Sequence, residues 1–270
     1  MSLCVYLRYN INMTTIYILV FGFGAIIGSF LNVVADRWNT GRGIGGRSKC
    51  DATGKTLKWF ELVPIFSYLA LHGKSRHSKT KLSIQYPLVE ISTGIVFLLI
   101  FQKFWPVIFR FPPAFVLSTL FYCAVFSILI LIFIYDWKHK IIPDYFSIAF
   151  SALALFSVLA FQPTLGNILA GPIIASPLLL LWAVSKGKWL GFGDVKYALG
   201  MGWLLGISMG FAALLLSFWI GAVVGIFIII FKKAKNTQIP FAPFLVLATF
   251  LSFLYNIDMQ SISSFFKFFL

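Results

Sequence analysis

Asp136 and Asp194 are the residues with chemistry to offer. They stand in largely apolar surroundings, the first shortly before Ile142-Pro143-Asp144, the second inside Gly191-Phe192-Gly193-Asp194-Val195-Lys196. Hydrophobic packing has no use for a carboxylate there, so each Asp is a functional candidate. Two carboxylates side by side in a poorly solvated site cannot both ionise cheaply; they share one proton and titrate as a pair. The ionised member can take a proton from water while the protonated member polarises a peptide carbonyl. That is amide hydrolysis with neither a metal nor a covalent intermediate.

The neighbours suit this reading. Gly191 and Gly193 allow backbone to approach without a Cβ in the way and permit unusual φ/ψ before a helix starts. Lys196 stands where it could lower a carboxylate's proton affinity or face the anionic membrane surface. Asp144, directly after Pro143, reads as a helix-start residue that supports the site structurally. Each aspartate also has a plainer reading. Asp194 could be a helix N-cap satisfying free N–H groups, and Asp136 a solvated loop residue between Tyr135 and Lys138.

The elements that must hold the pair are membrane helices. Of 270 residues, 60% are hydrophobic and only 11% charged, against about 25% charged in soluble domains. This is the composition of an all-α polytopic membrane protein. A span needs about 20 mostly apolar residues, and about eight candidates follow in order: 14–35, 84–102, 114–135, 145–161, 167–185, 195–208, 210–231 and 241–257. The first reads as a retained helix, because no Ala-x-Ala cleavage site follows it. The organisation expected is an N-terminal segment with the first helix (1–35), a basic cytoplasmic domain (36–83) and a seven-helix membrane domain carrying the aspartates (84–270).

A net charge of +14 suggests nucleic acid at first sight. The charges are not spread evenly, however: 18 of the 22 basic residues fall on alternate connections, ten of them in 36–83. Lys and Arg on alternate loops mark the cytoplasmic side, so the charge reports topology and no nucleic-acid partner is expected. The N-terminus then lies outside. Asp136 ends the third span at the inner face, and the hairpin of the fourth and fifth returns the chain to that face at Asp194. Both carboxylates are expected at one depth, which two unrelated caps would manage only half the time.

The loop 36–83 is the largest non-membrane piece, with Trp59, Phe60, Leu62, Ile65, Phe66 and Tyr68 expected as a small core. So small a core usually needs a metal, a disulfide or a docking surface. Zinc is poorly served. Cys50, His72 and His77 supply at best three of four ligands, and Cys4, Cys50 and Cys123 have no paired spacing.

Taken together, the residues resemble the type IV prepilin leader peptidases, intramembrane aspartyl proteases of the GxGD type. The likeness covers nearly the whole chain. It is carried by Gly28-Ser29-Phe30-Leu31-Asn32-Val33-Val34 with Arg37, and by Arg47-Ser48-x-Cys50, Leu57-x-Trp59, Pro64-x-x-Ser67-Tyr68 and Gly73-Lys74 in the loop. It continues through Tyr86-Pro87-Leu88-Val89-Glu90, Asp136 with Ile142-Pro143-Asp144, Gly191-x-Gly193-Asp194-Val195-Lys196 with Gly200 and Gly202, and Ile239-Pro240-Phe241-Ala242-Pro243-Phe244.

The resemblance implies a multi-pass protein of a prokaryotic plasma membrane that cleaves prepilin or pseudopilin precursors between a basic leader and an apolar helix. Asp136 and Asp194 would be the catalytic pair. It also implies, in many members, methylation of the new N-terminus by the same chain with S-adenosylmethionine as donor; proteolysis itself needs no cofactor. One departure is clear. Many members carry two Cys-x-x-Cys pairs in the loop, and here Thr53, Ser75 and Ser78 stand at three of those four positions. Zinc is therefore not expected, and methylation is less secure than cleavage. The competing class is a proton-coupled secondary transporter using the same aspartates as a relay. It would place an acid in mid-span, and none is found there. The sequence does not specify an oligomeric state.

Overall fold

Long runs of Leu, Ile, Val, Phe and Ala can cross lipid only if their backbone groups are satisfied within the segment, which an α-helix does. The computed structural model describes residues 3–40, 43, 45–48, 53–76, 78–232 and 239–269. Within them lie nine α-helices: α1 (Leu3–Arg37), α2 (Phe66–Ala70), α3 (Gln85–Phe104), α4 (Pro112–His139), α5 (Asp144–Phe161), α6 (Leu165–Ser185), α7 (Phe192–Lys232), α8 (Ala242–Tyr255) and α9 (Met259–Phe269). No strand occurs among the described residues, and Lys74 and Lys81 pair as an isolated bridge. Six helices are long and apolar enough to cross a membrane, seven if α8 and α9, bent by 90° at their junction, count as one span. The chain is a multi-pass membrane protein.

Two compact units form, Met1–Ser127 and Ile128–Leu270, with α4 contributing to both. In the first, α1 packs along α3, and Gly28 brings the two backbones so close that a β-carbon on it would lie 2.9 Å from the Cα of Glu90. Asn32 Nδ2 donates to the Tyr86 carbonyl at 3.2 Å, and the Tyr86 hydroxyl to Asp36 at 2.8 Å. The loop between α1 and α3 departs from expectation. Phe60, Leu62, Phe66 and above all Trp59 are exposed, and Ile65 and Tyr68 are only half-buried, so these residues do not form a core. Cys50 and His77, along with Arg42, Lys49, Lys233 and Lys235 of the charge pattern, lie outside the described residues.

In the second unit α7 is the hub, packed against α5, α6 and α8. At 41 residues an unbroken α7 would run about 60 Å, twice the ~30 Å hydrocarbon layer. The sequence reading separates 195–208 from 210–231. In the structure two helical limbs meet at a kink in this region, and the change of direction falls on Gly206 at φ 77°, ψ −179°. That conformation is open to glycine and closed to nearly every other residue. The chain folds back so sharply that a β-carbon on Gly210 would lie 3.7 Å from the Cα of Gly202. Gly202 in turn faces the α6 backbone at Ala170 and Gly171, while Trp203 Nε1 donates to the Ile168 carbonyl at 2.8 Å. The last candidate span, 241–257, appears as the 14-residue α8, about 21 Å long and too short to cross alone.

Candidate active site

Asp136 sits in the last turn of α4. Its carbonyl accepts the Lys140 N–H at 2.7 Å, and Lys140, at φ 56°, ends the helix in the left-handed region. The chain then runs through Ile142 and Pro143 into α5, which Asp144 opens. Pro143 holds the extended geometry of a residue just before a helix (φ −63°, ψ 135°). Asp194 lies in the first turn of α7, with its N–H donating to the Gly191 carbonyl at 3.2 Å. A first-turn acid also suits the positive end of the helix, so the capping role considered above and a catalytic one are compatible.

Both carboxylates are withdrawn from solvent, Asp136 4% and Asp194 8% exposed. They belong to one compact unit, and the charge of Asp136 acts directly on Asp194. Local packing joins their two segments. A β-carbon on Gly193 would lie 2.9 Å from Cβ of Ile142, so the residue before Asp194 must be glycine for the loop after Asp136 to close on it. Gly191 lies beside the carboxylate itself, its β position 3.5 Å from Asp194 Oδ2.

A further partner is one that side-chain chemistry could not reveal. The N–H of Ala242, the first residue of α8, donates to Asp136 Oδ2 at 3.2 Å. Ala242 is fully buried, and Phe241 before it packs on Phe218 of α7 with ring centres 5.0 Å apart. The only sequence signal for this donor was the Ile239-Pro240-Phe241-Ala242-Pro243-Phe244 motif. A backbone N–H at a helix start favours a negative carboxylate, and Asp194 also receives a backbone hydrogen bond, from Gly191. Below the site, the buried Tyr197 hydroxyl and Thr249 Oγ1 meet at 2.9 Å and tie α7 to α8.

Lys196 stands apart from the partners of the two buried carboxylates and engages Asp144 instead. Its Nζ pairs with Asp144 Oδ1 at 2.7 Å and lies 5.2 Å from the centre of the Phe192 ring. The pair fastens the start of α5 to the first turn of α7. Both side chains reach solvent, so the attraction contributes only about 0.5 kcal/mol. Asp144→Asn and Lys196→Gln should each slow peptide cleavage by no more than about threefold, and the double variant should do no worse than either single one. Cleavage rates of the four forms check this.

Three of the four positions where many related loops carry cysteines hold hydroxyls here, at Thr53, Ser75 and Ser78, and Ser78 Oγ is 2.7 Å from Thr80 Oγ1. Such a set does not fit zinc. S-adenosylmethionine, a cation, would seek carboxylates. Near the loop, Glu61 already accepts the Lys58 N–H and Glu90 the Ile65 N–H, each at 2.7 Å.

Comparison with known proteins gives the family. Residues 22–104 match the model of the bacterial peptidase A24 N-terminal domain, and residues 123–226 match that of the type IV leader peptidase family. The chain is 33% identical to the prepilin leader peptidase/N-methyltransferase of Xanthomonas campestris, over 88% of this chain and 91% of that protein. It is 30% identical to the protein of the same name from Bacillus subtilis, over 92% and 96%. With the Myxococcus xanthus protein it shares 32% over 82% and 67%. No solved structure matches. Asp136, Ile142, Gly193 and Asp194 all fall inside the second matched stretch, and with likeness of this extent the chain belongs to the type IV leader peptidase family.

Proposed function

We propose that this chain is a prepilin leader peptidase working through Asp136 and Asp194. The observation that carries the reading is the burial of both carboxylates in one unit, with the field of one acting on the other. Asp136, as the ionised member, takes a proton from the attacking water. Asp194, protonated, hydrogen-bonds the scissile carbonyl oxygen and gives it that proton as the tetrahedral diol forms. Collapse of the diol breaks the C–N bond, the leaving amine takes a proton from Asp136, and a diol hydroxyl restores the proton to Asp194.

The membrane arrangement proposed has eight crossings, with α7 counted as two limbs meeting at Gly206 and α8–α9 as one. The N-terminus is then outside, and the basic loop and the dyad face the cytoplasm of a prokaryotic plasma membrane. The substrates are precursors with a basic leader followed by an apolar helix. Methylation of the product's new N-terminus is proposed only from the relatives' shared name.

Incubating membranes that contain the chain with a panel of such precursors tests the reading. The expected product is cut between leader and apolar helix, at a rate unchanged by a metal chelator. Failure to cut any precursor would refute it, and the product's N-terminal mass shows whether a methyl group is added.

A further inference from the structure

The loop joining α1 to α3 is tied down at an unexpected depth. The Ile65 N–H, just before α2, donates to Glu90 Oε2 at 2.7 Å, and Ser29 of α1 also bonds that carboxylate. Glu90 is buried in the second turn of α3, five residues in from Gln85. Ser29 lies eight residues before the end of α1 at Arg37. At 1.5 Å per residue these offsets are roughly 8 and 12 Å along the two membrane helices. Ile65 is held there in the left-handed region at φ 65°, a strained conformation for a β-branched residue. The start of α2 is therefore anchored about two turns in from the ends of two bilayer-crossing helices.

On either side of this anchored residue the loop exposes large apolar side chains. Trp59 is 79% exposed, Phe66 73% and Leu69 63%, with Leu62 and Ile84 also exposed. Lys55, Lys58, Lys74, Arg76, Lys79 and Lys81 are all exposed around them, with Glu61 as the one acid in 53–83. Glu61 accepts the Lys58 N–H, and Arg76 lies over the Phe60 ring at 5.2 Å. Outward Trp and Phe ringed by cations suit the headgroup layer of an anionic bilayer, where an aromatic ring has one face wet and one dry. A basic substrate leader would be repelled by the same surface.

We infer that α2 and the adjoining turn at Trp59–Leu62 form a membrane-surface anchor. Trp59, Phe66 and Leu69 enter the boundary between headgroups and acyl chains, and the surrounding lysines and Arg76 hold lipid phosphates. The occupant is the bilayer in which α1 and α3 are themselves embedded. This inference rests on the multi-pass architecture and not on the peptidase chemistry.

The test uses the full chain in nanodiscs of phosphatidylcholine alone or with roughly one-third phosphatidylglycerol, read by amide hydrogen exchange. Exchange over 57–72 should slow on adding phosphatidylglycerol, by about fivefold for each cation engaged. Trp59→Ser/Phe66→Ser should lose that protection while α3 amides stay unchanged. In a second reading, bromines placed near the headgroup end of the acyl chains should quench wild-type tryptophan fluorescence more than that of Trp59→Phe. Equal exchange in the two bilayers, or no quenching assignable to Trp59, overturns the inference. Neither measurement depends on cleavage, so a failed anchor and a failed peptidase would be told apart.

Discussion

Asp136→Asn and Asp194→Asn will each reduce cleavage of a co-expressed precursor to background, a loss of at least about 10³-fold, with the protein still in the membrane fraction. Asn keeps the size and can still accept a hydrogen bond, so the Ala242 N–H at position 136 and the packing around Gly193 survive the change. What disappears is the pair's capacity to share one proton. Asn at 136 cannot take a proton from water, and Asn at 194 cannot supply one to the carbonyl oxygen. Because either defect stops the same step, the double variant should be no slower than the singles. Cleavage surviving in either single variant would remove the dyad from the mechanism, whatever the family. Immunoblots of precursor and product, beside a membrane-fraction control, read the result.

Gly202→Val is expected to have the largest effect on the fold. A β-carbon at this position would press on the Ala170 carbonyl and lie 2.8 Å from the Gly171 Cα, both of them backbone atoms of α6. A flexible side chain could step aside; a helix backbone cannot without moving the helix. The loss should be on the order of 3 kcal/mol, lowering the midpoint of thermal unfolding in detergent and the amount of protein recovered. Gly166→Ala is the matched control. A β-carbon there meets nothing within 4 Å, so it should unfold at the wild-type temperature or slightly above. Equal midpoints for the two variants would mean that α6 and α7 do not meet at this seam.

The helical architecture was legible because lipid leaves a chain so few ways of satisfying its backbone, though apolar length alone did not fix the number of crossings. The aspartates were legible because charge is scarce here and each one asks for a reason. Less visible was the donor to Asp136. It is a main-chain group on Ala242, more than a hundred residues on, and its side chain is a methyl. The loop misled for a physical reason. Trp59 and Phe66 look like core residues by composition, yet apolar side chains near a bilayer have a second place to go, and hydropathy does not tell the two apart. The turn at Gly206 was half visible. The sequence called for a break between two spans, but a single glycine torsion, with no loop, accomplishes it.

The brevity of α8 has a consequence for the supply of water. A helix of 14 residues spans roughly two-thirds of the hydrocarbon layer, and α9 turns away at its far end instead of extending it. Lipid beside so short a helix must thin or the neighbouring helices must tilt, each at modest cost. This short helix begins at Ala242, whose N–H rests on Asp136. Hydrolysis in a greasy medium needs a wet path, and a helix that does not fill the hydrocarbon layer starts at the residue where that path has to end.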